Sequence, residues 1–320
     1  MLTLRTTRVE SFADTDTGLV RSANEDSLLL FFPQDQRLLE EKGILAIVAD
    51  GVGGNIGGKT ASSTAVSIMQ ERYYSSEQLD PLSALKESMI AANREIFTKG
   101  SQDPSCQGMA TTCTAFILLG NEGFISHAGD SRAYLLRDSI LRQLTEDHTL
   151  VNKLLADGLI SAEAAASHPQ KNIIVRALGS DLEMAPDAFH IQLEDNDIIL
   201  LCSDGLHGLI SDDDIKDRLS RLPLQEAGHS LIGLAKDNGG TDNITVIILQ
   251  LSCMKGIAGD ETKPFIAPVD AEKKKHKMRF AVIGAIVATL LFGGLFYLWT
   301  AHGVKENASP NLGDLLKIMK

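Results

Sequence analysis

The chain has 320 residues, 44% of them hydrophobic, enough for one large domain or two ordinary ones around a sizeable core. Its net charge of −12 is uneven: residues 1–252 hold 20 Lys and Arg against 36 Asp and Glu, a net of −16, and residues 253–320 hold 10 against 6, a net of +4. An acidic body argues against nucleic acid as the main partner, because a phosphate backbone selects basic surface, but not against phosphate bound through a metal. Cys106, Cys113, Cys202 and Cys253 form no C-x-x-C pair, which speaks against disulfides and zinc and for a reducing, cytoplasmic environment.

The first residues, MLTLRTTRVESF, lack the apolar segment of a signal peptide. Residues 8–32 predict two strands around a turn, and Arg21, Asn24, Glu25 and Asp26 crowd into six residues there. A solvated loop and a specific site both fit that cluster. The apolar run Ile44 to Ala49 predicts a buried strand ending on Asp50. Gly51, Gly53, Gly54, Gly57 and Gly58 follow, then a helix-forming segment, so a charged ligand can approach the backbone closely. Two readings compete: Gly53, Gly58, Lys59 and Thr60 spell the phosphate loop of ATPases and GTPases, whereas Asp50-Gly51 suits a metal.

Thr60 to Tyr74 predicts a helix with Ala61, Ala65, Ile68 and Met69 on its apolar face, and Pro81 to Phe97 a second packed antiparallel to it, its proline in the first turn. From Met109 to Thr145 four β-rich runs are separated by Asn121-Glu122-Gly123, Gly129-Asp130 and Arg137-Asp138. Connections this short predict antiparallel hairpins, and a phosphate-loop NTPase needs a mostly parallel sheet with helices between its strands. Residues 148–168 predict short helices in a surface flap. DAFHIQL (187–193) and NDIILLCSDG (196–205) predict strands, Ser211 to Leu219 and Gln225 to Lys236 helices, and GGTDNITVIILQL (239–251) a closing strand.

Residues 253–279 read as a linker, mixed in charge and without periodicity. Phe280 to Thr300 holds 21 residues without a charge, long enough to cross a hydrocarbon core of about 30 Å as a helix. It follows KKKHKMR (273–279) and closes with Tyr297 and Trp299, so the positive-inside rule places the acidic body in the cytoplasm and the tail, 301–320, on the far side.

Asp50, Asp204 and Asp242 each lie at an end of an apolar strand, and Asp26 and Asp130 lie beside others. Carboxylates gathered at buried strand ends repel one another unless something positive sits between them. All-oxygen ligands select Mg²⁺ or Mn²⁺, and two such ions can acidify a water and hold a phosphate oxygen. An Asp beside a Gly can equally cap a turn. Three such sites together favour the metal.

The stretches TDTGLVRSANEDS (15–27), VADGVGGNIGGKTAS (48–62), GMATTCTA (108–115), HAGDSRAYLLRDSILRQLTEDH (127–148), RALG (176–179), LLCSDGL (200–206) and GGTDNITVIIL (239–249) stand in the order found in one family. The chain resembles the metal-dependent type 2C protein phosphatases, in their bacterial branch, over about residues 8–251. The resemblance implies an α+β fold, a four-layer α/β/β/α sandwich of two antiparallel sheets flanked by helix pairs. It implies hydrolysis of phosphoserine and phosphothreonine on proteins by a metal-activated water without a phosphoenzyme, and a partner Ser/Thr kinase.

By position, Asp50 would bridge two Mn²⁺ or Mg²⁺ ions, with the carbonyl of Gly51 as a further ligand. Asp204 and Asp242 would complete one ion's shell, and Glu25 and Asp26 would hold metal-bound waters. Arg21 would bind the substrate phosphate. Asp130 matches the acid that, with Asp204, holds a third ion in bacterial relatives. Val52 stands where eukaryotic relatives carry a His proposed as general acid, so that role is unassigned here, with metal-bound water the simplest candidate. His127 and His148 read as structural. The division expected is therefore a catalytic domain over 1–252, a linker over 253–279, a membrane helix over 280–300 and a tail over 301–320. Such a chain would be a single-pass protein of the cytoplasmic membrane.

Overall fold

The computed structural model describes residues 2–4, 7–52, 56–166 and 168–252. The expected linker, membrane helix and tail lie outside the described residues, as do Gly53 and Gly54 of the glycine loop. Among the described residues no helix is long and apolar enough to cross a membrane.

The chain runs β1 (Leu2–Leu4), β2 (Thr7–Asp16), β3 (Ser27–Phe31), α1 (Gln36–Lys42), β4 (Ile44–Ala49), β5 (Gly51–Val52), α2 (Ile56–Ser75) and α3 (Pro81–Gln102). It continues through β6 (Ala110–Thr111), β7 (Cys113–Leu119), β8 (Glu122–Ala128), β9 (Arg132–Arg137), β10 (Ile140–Gln143), α4 (Leu150–Ala156) and α5 (Ala162–Ala166). It ends with β11 (Asp187–Gln192), β12 (Ile198–Cys202), α6 (Asp204–His207), α7 (Asp212–Arg221), α8 (Leu224–Asp237) and β13 (Ile244–Ser252). One sheet has the order β1-β2-β13-β12-β9-β10, the other β11-β8-β7-β4-β3, and β5 pairs with β6. The described pairings are all antiparallel.

Successive side chains of a strand point to opposite faces, and β4 is apolar on both because both faces are covered. Ile44, Ala46 and Val48 meet Ile199, Leu201, Ile247 and Leu249 of the other sheet. Leu45, Ile47 and Ala49 instead pack under α2 and α3 with Met69, Leu85, Met89 and Ile96. On the opposite side, Val246 and Ile248 of β13 lie under Ile215, Leu219, Leu231 and Ile232 of α7 and α8. Two antiparallel sheets thus share one core and each carries helices on its outer face. Fully burying each such Ile or Leu is worth about 1.5–3 kcal/mol.

Three expectations change. The Gly129-Asp130 connection is not a hairpin: β8 belongs to one sheet and β9 to the other, so the chain switches sheets there. Leu19 to Asp26 is a loop rather than the start of a strand, with β3 beginning only at Ser27. The helix after the glycines starts at Ile56, before the expected Thr60, which puts Gly57, Gly58 and Lys59 in its first turns. The second helix begins where expected, with Asp80 accepting the N–H of Ser83 and Pro81 in the first turn.

Candidate metal centre

Asp50 follows the central strand β4 and is held by a run of hydroxyls. Its N–H donates to Thr112 Oγ1 (3.0 Å), and its carbonyl accepts from the Thr112 N–H (2.9 Å) and the Thr111 hydroxyl (2.8 Å). Thr112 Oγ1 in turn shares a 2.6 Å hydrogen bond with Ser131, next to Asp130. Asp204 opens α6, and His207, three residues on, bonds through Nε2 to the carbonyl of Asp130 (2.9 Å). The end of β12 and the sheet-switching turn are thereby tied together.

Asp26 is the most deeply sunk of the acids at 1% exposure. Its Oδ2 accepts from Ser203 (2.8 Å) and from the Thr245 hydroxyl, and its N–H donates to Asn24 Oδ1 (3.0 Å). Asn243, beside Asp242, is a clamp. Its Oδ1 accepts the N–H of Glu25 (2.8 Å), and its Nδ2 donates to the carbonyls of Thr17 and Ala23 (3.0 Å each). Arg21 extends from the clamped loop, its Nη2 2.6 Å from Asp242 Oδ2.

The acids act on one another. Burial, then the charges of Asp26, Asp204 and Asp130, raise the Asp50 carboxyl well above the ordinary range, and it hydrogen-bonds Asp204. Burial and Asp242 raise Asp204, and burial with Asp204 pushes Asp130 to about 7. Asp26 is raised by the same burial despite its hydroxyl donors. Arg21 is raised by its bond to Asp242. The segments around residues 21–26, 50, 130, 204 and 242 therefore converge into one negative centre.

The donor set suits a hard divalent cation. Three buried carboxylate oxygens, Asp26 Oδ1, Asp130 Oδ1 and Asp204 Oδ1, have no hydrogen-bond partner, and orphaned acceptors of this kind are costly unless a cation completes them. Backbone geometry adds a second sign. A Cβ on Gly58 would fall 2.7 Å from Glu25 Oε2 and 2.8 Å from the carbonyl oxygen of Gly51, so glycine there keeps open the space between two expected ligand groups. The acids are gathered but not closed into a cage: among the described residues no three His, Cys, Asp or Glu side chains stand together as a ready metal set.

Lys59 is not aimed at a phosphate. Its Nζ donates to the carbonyl of Asp26 (2.6 Å) and to Ser27 Oγ (3.1 Å), a structural role in which the phosphate-loop spelling has no part. His127 is buried between Thr114 Oγ1 (2.9 Å) and the carbonyl of Glu146 (3.1 Å), stacked on His148. His148 accepts the N–H of Gly129 (3.1 Å) and meets Asp187 and Arg176, so both histidines brace the turn and the flap. Asn243 and the hydroxyls of Thr111, Thr112, Ser203 and Thr245 are the site residues that the acid pattern alone does not reveal. Their signal is polar side chains at the ends of otherwise apolar strands.

Two antiparallel sheets with buried carboxylates gathered at their strand ends make a site suited to a divalent cation. The sequence profile described as protein phosphatase 2C matches residues 22–231, and the chain belongs to that family. The serine/threonine phosphatase stp of Listeria innocua is 37% identical over 248 residues, 75% of this chain and 95% of that protein. The serine/threonine protein phosphatase PstP of Mycobacterium tuberculosis is 39% identical over 236 residues, 74% of this chain and 44% of that protein. A crystal structure of the PstP catalytic domain in complex with two manganese ions matches with a TM-score of 0.67 and 35% identity, over 77% of this chain and all of that one.

Proposed function

We infer that this chain is a metal-dependent protein serine/threonine phosphatase whose own residues divide the work around the converged carboxylates. The single observation that carries the assignment is that convergence, with its three orphaned oxygens. Asp50, the Gly51 carbonyl, Asp204 and Asp242 would hold two Mn²⁺ or Mg²⁺ ions. Glu25 and Asp26 would hold metal-bound waters, and Asp130 with Asp204 would hold a third ion. When bound, such ions acidify a water and neutralise phosphoryl oxygens, so that water can displace the protein hydroxyl in line.

Arg21 takes the substrate phosphate. Its guanidinium exchanges Asp242 for phosphoryl oxygens, a match suited to its fork of donors. Thr111 and Thr112 fix the backbone of Asp50, and Ser203 and Thr245 orient Asp26. The substrates are phosphorylated Ser/Thr proteins of a partner kinase.

The chain is tethered to the membrane by residues 280–300, with the basic run 273–279 on the side of the catalytic domain; the sequence pattern supports this. Fractionation of the full chain, followed by alkaline extraction, tests the tether: release into the soluble fraction would exclude it. The enzymatic assignment is tested by Mn²⁺-dependent hydrolysis of a phosphothreonine peptide. Asp204→Asn should abolish it, and full activity in that variant would sink the ligand assignment.

A further inference from the structure

The loop that carries Arg21 is a pinned arm rather than a free one. Asn243 holds it at Thr17, Ala23 and Glu25, and the N–H of Leu19 donates to the carbonyl of Gly240 (2.7 Å). Gly18 sits at φ 78°, where a Cβ would lie 2.2 Å from the carbonyl oxygen of Asp242, so the arm lies directly on the strand lead-in behind it. Between these fixings stand Leu19 and Val20, 64% and 67% exposed. Scattered exposed apolar residues need no explanation. These two are consecutive, sit on backbone held at both ends, and precede the guanidinium that faces the acid centre.

We propose that Leu19 and Val20 are specificity-determining residues, a preformed apolar platform that selects phosphoproteins with an apolar residue beside the phosphorylated Ser or Thr. The proposal rests on the phosphatase reading and deepens it to a substrate class. Leu19 and Val20 form the turn directly before Arg21, so a peptide whose phosphate rests on Arg21 brings the side chains beside its phosphoresidue past them. Because the arm is already ordered, contact there carries little further entropy cost. The acidic body, net −16 over residues 1–252, repels acidic neighbours of the phosphoresidue and leaves apolar ones favoured.

The test compares two phosphothreonine peptides that differ only in flanking residues, Leu and Val in one and Glu in the other, with the full chain and Mn²⁺. The unaltered enzyme should show a kcat/KM ratio of about fivefold or more in favour of the apolar peptide. At high salt, which screens the charge repulsion, the unaltered enzyme should keep a preference of more than about twofold and the double variant Leu19→Ser, Val20→Ser should bring the ratio to within about twofold of unity. Leu79→Ser, at an exposed leucine beyond β4 in the α2–α3 turn, should leave the ratio where it was. Equal rates on the two peptides, an unchanged ratio in the double variant, or an equal fall in Leu79→Ser would each overturn the proposal. Hydrolysis of a small aryl phosphate by the unaltered enzyme checks the phosphatase reading separately: its absence removes that reading, whereas its presence with equal peptide rates removes only the platform.

Discussion

The side-chain oxygen of Asn243 receives the backbone N–H of Glu25 at 2.8 Å, joining residues 218 positions apart and leaving the amide's two N–H groups for Thr17 and Ala23. One residue therefore sets the position of the arm that bears Arg21. Asn243→Asp keeps the acceptor and loses both donors. Leaving two carbonyls unmatched costs about 1–3 kcal/mol each where they are buried. The expected outcome is a lower melting temperature and a tenfold or larger rise in the inhibition constant for inorganic phosphate. Unchanged phosphate inhibition would show that the arm holds without the clamp.

Removing one acid should have opposite effects with and without metal. In metal-free protein Asp204 is raised by burial and by Asp242, so it opposes folding of the ionised form. Asp204→Asn should raise the metal-free melting temperature, by about 1 kcal/mol in stability at neutral pH. It should also reduce the thermal shift that Mn²⁺ produces, which for a tight site at a hundredfold excess over Kd is about 2.7 kcal/mol. Calorimetry in both states reads the two signs; a variant destabilised without metal would argue against an overcharged centre.

Gly58→Ala sets two effects against each other. Alanine in a helix is favoured over glycine by about 1 kcal/mol. The added Cβ would lie 2.7 Å from Glu25 Oε2, which can swing away, and 2.8 Å from the Gly51 oxygen, which is backbone. The backbone contact outweighs the helix gain, so the variant should lose thermal stability without metal as well as about tenfold in Mn²⁺ affinity. Titration calorimetry decides; wild-type affinity would mean that the space between these groups is not used.

The His127 imidazole is lowered to about 4 by burial first and by the neighbouring His148. An unfolded His takes its proton near 6.5. Between pH 6.5 and 4 the unfolded state therefore binds more protons, so stability falls as pH drops through that window, by on the order of 3 kcal/mol. Burial alone would raise Asp187, but His148 and Arg176 hold it to about 2. Its contribution is present above about 4 and is lost only as pH falls towards 2. The buried acids, Asp130 at about 7 among them, gain stability by protonation over the same window, so the His127 loss is read as a difference: between pH 7 and 4 the melting temperature of metal-free His127→Gln should fall less, or rise more, than that of the unaltered chain.

Much of this was legible in the residues. Asp50, Asp204 and Asp242 announce themselves because a carboxylate closing an apolar strand is expensive without a purpose, and the centre does bring them together. Lys59 shows where spelling misleads: the sequence matches a phosphate loop, yet packing sends its ammonium to the Asp26 carbonyl. The sheet switch at Gly129-Asp130 was hidden because a three-residue link looks like a hairpin whether or not its strands share a sheet. Asn243 was hidden for a different reason. Its partners are backbone groups more than two hundred residues away, and backbone partners leave no trace in side-chain patterns.

The position of β13 has a consequence for how the enzyme comes into being. Ile244–Ser252 is the last strand described, yet it lies between β2 and β12 in the middle of its sheet. A ribosome-bound chain that has not yet released residue 252 exposes the open edges of both neighbours. It also lacks Asp242 and the amide that fixes Arg21. Such long-range closure is slow. A chain cut short before β13 should therefore lack phosphatase activity altogether rather than keep part of it.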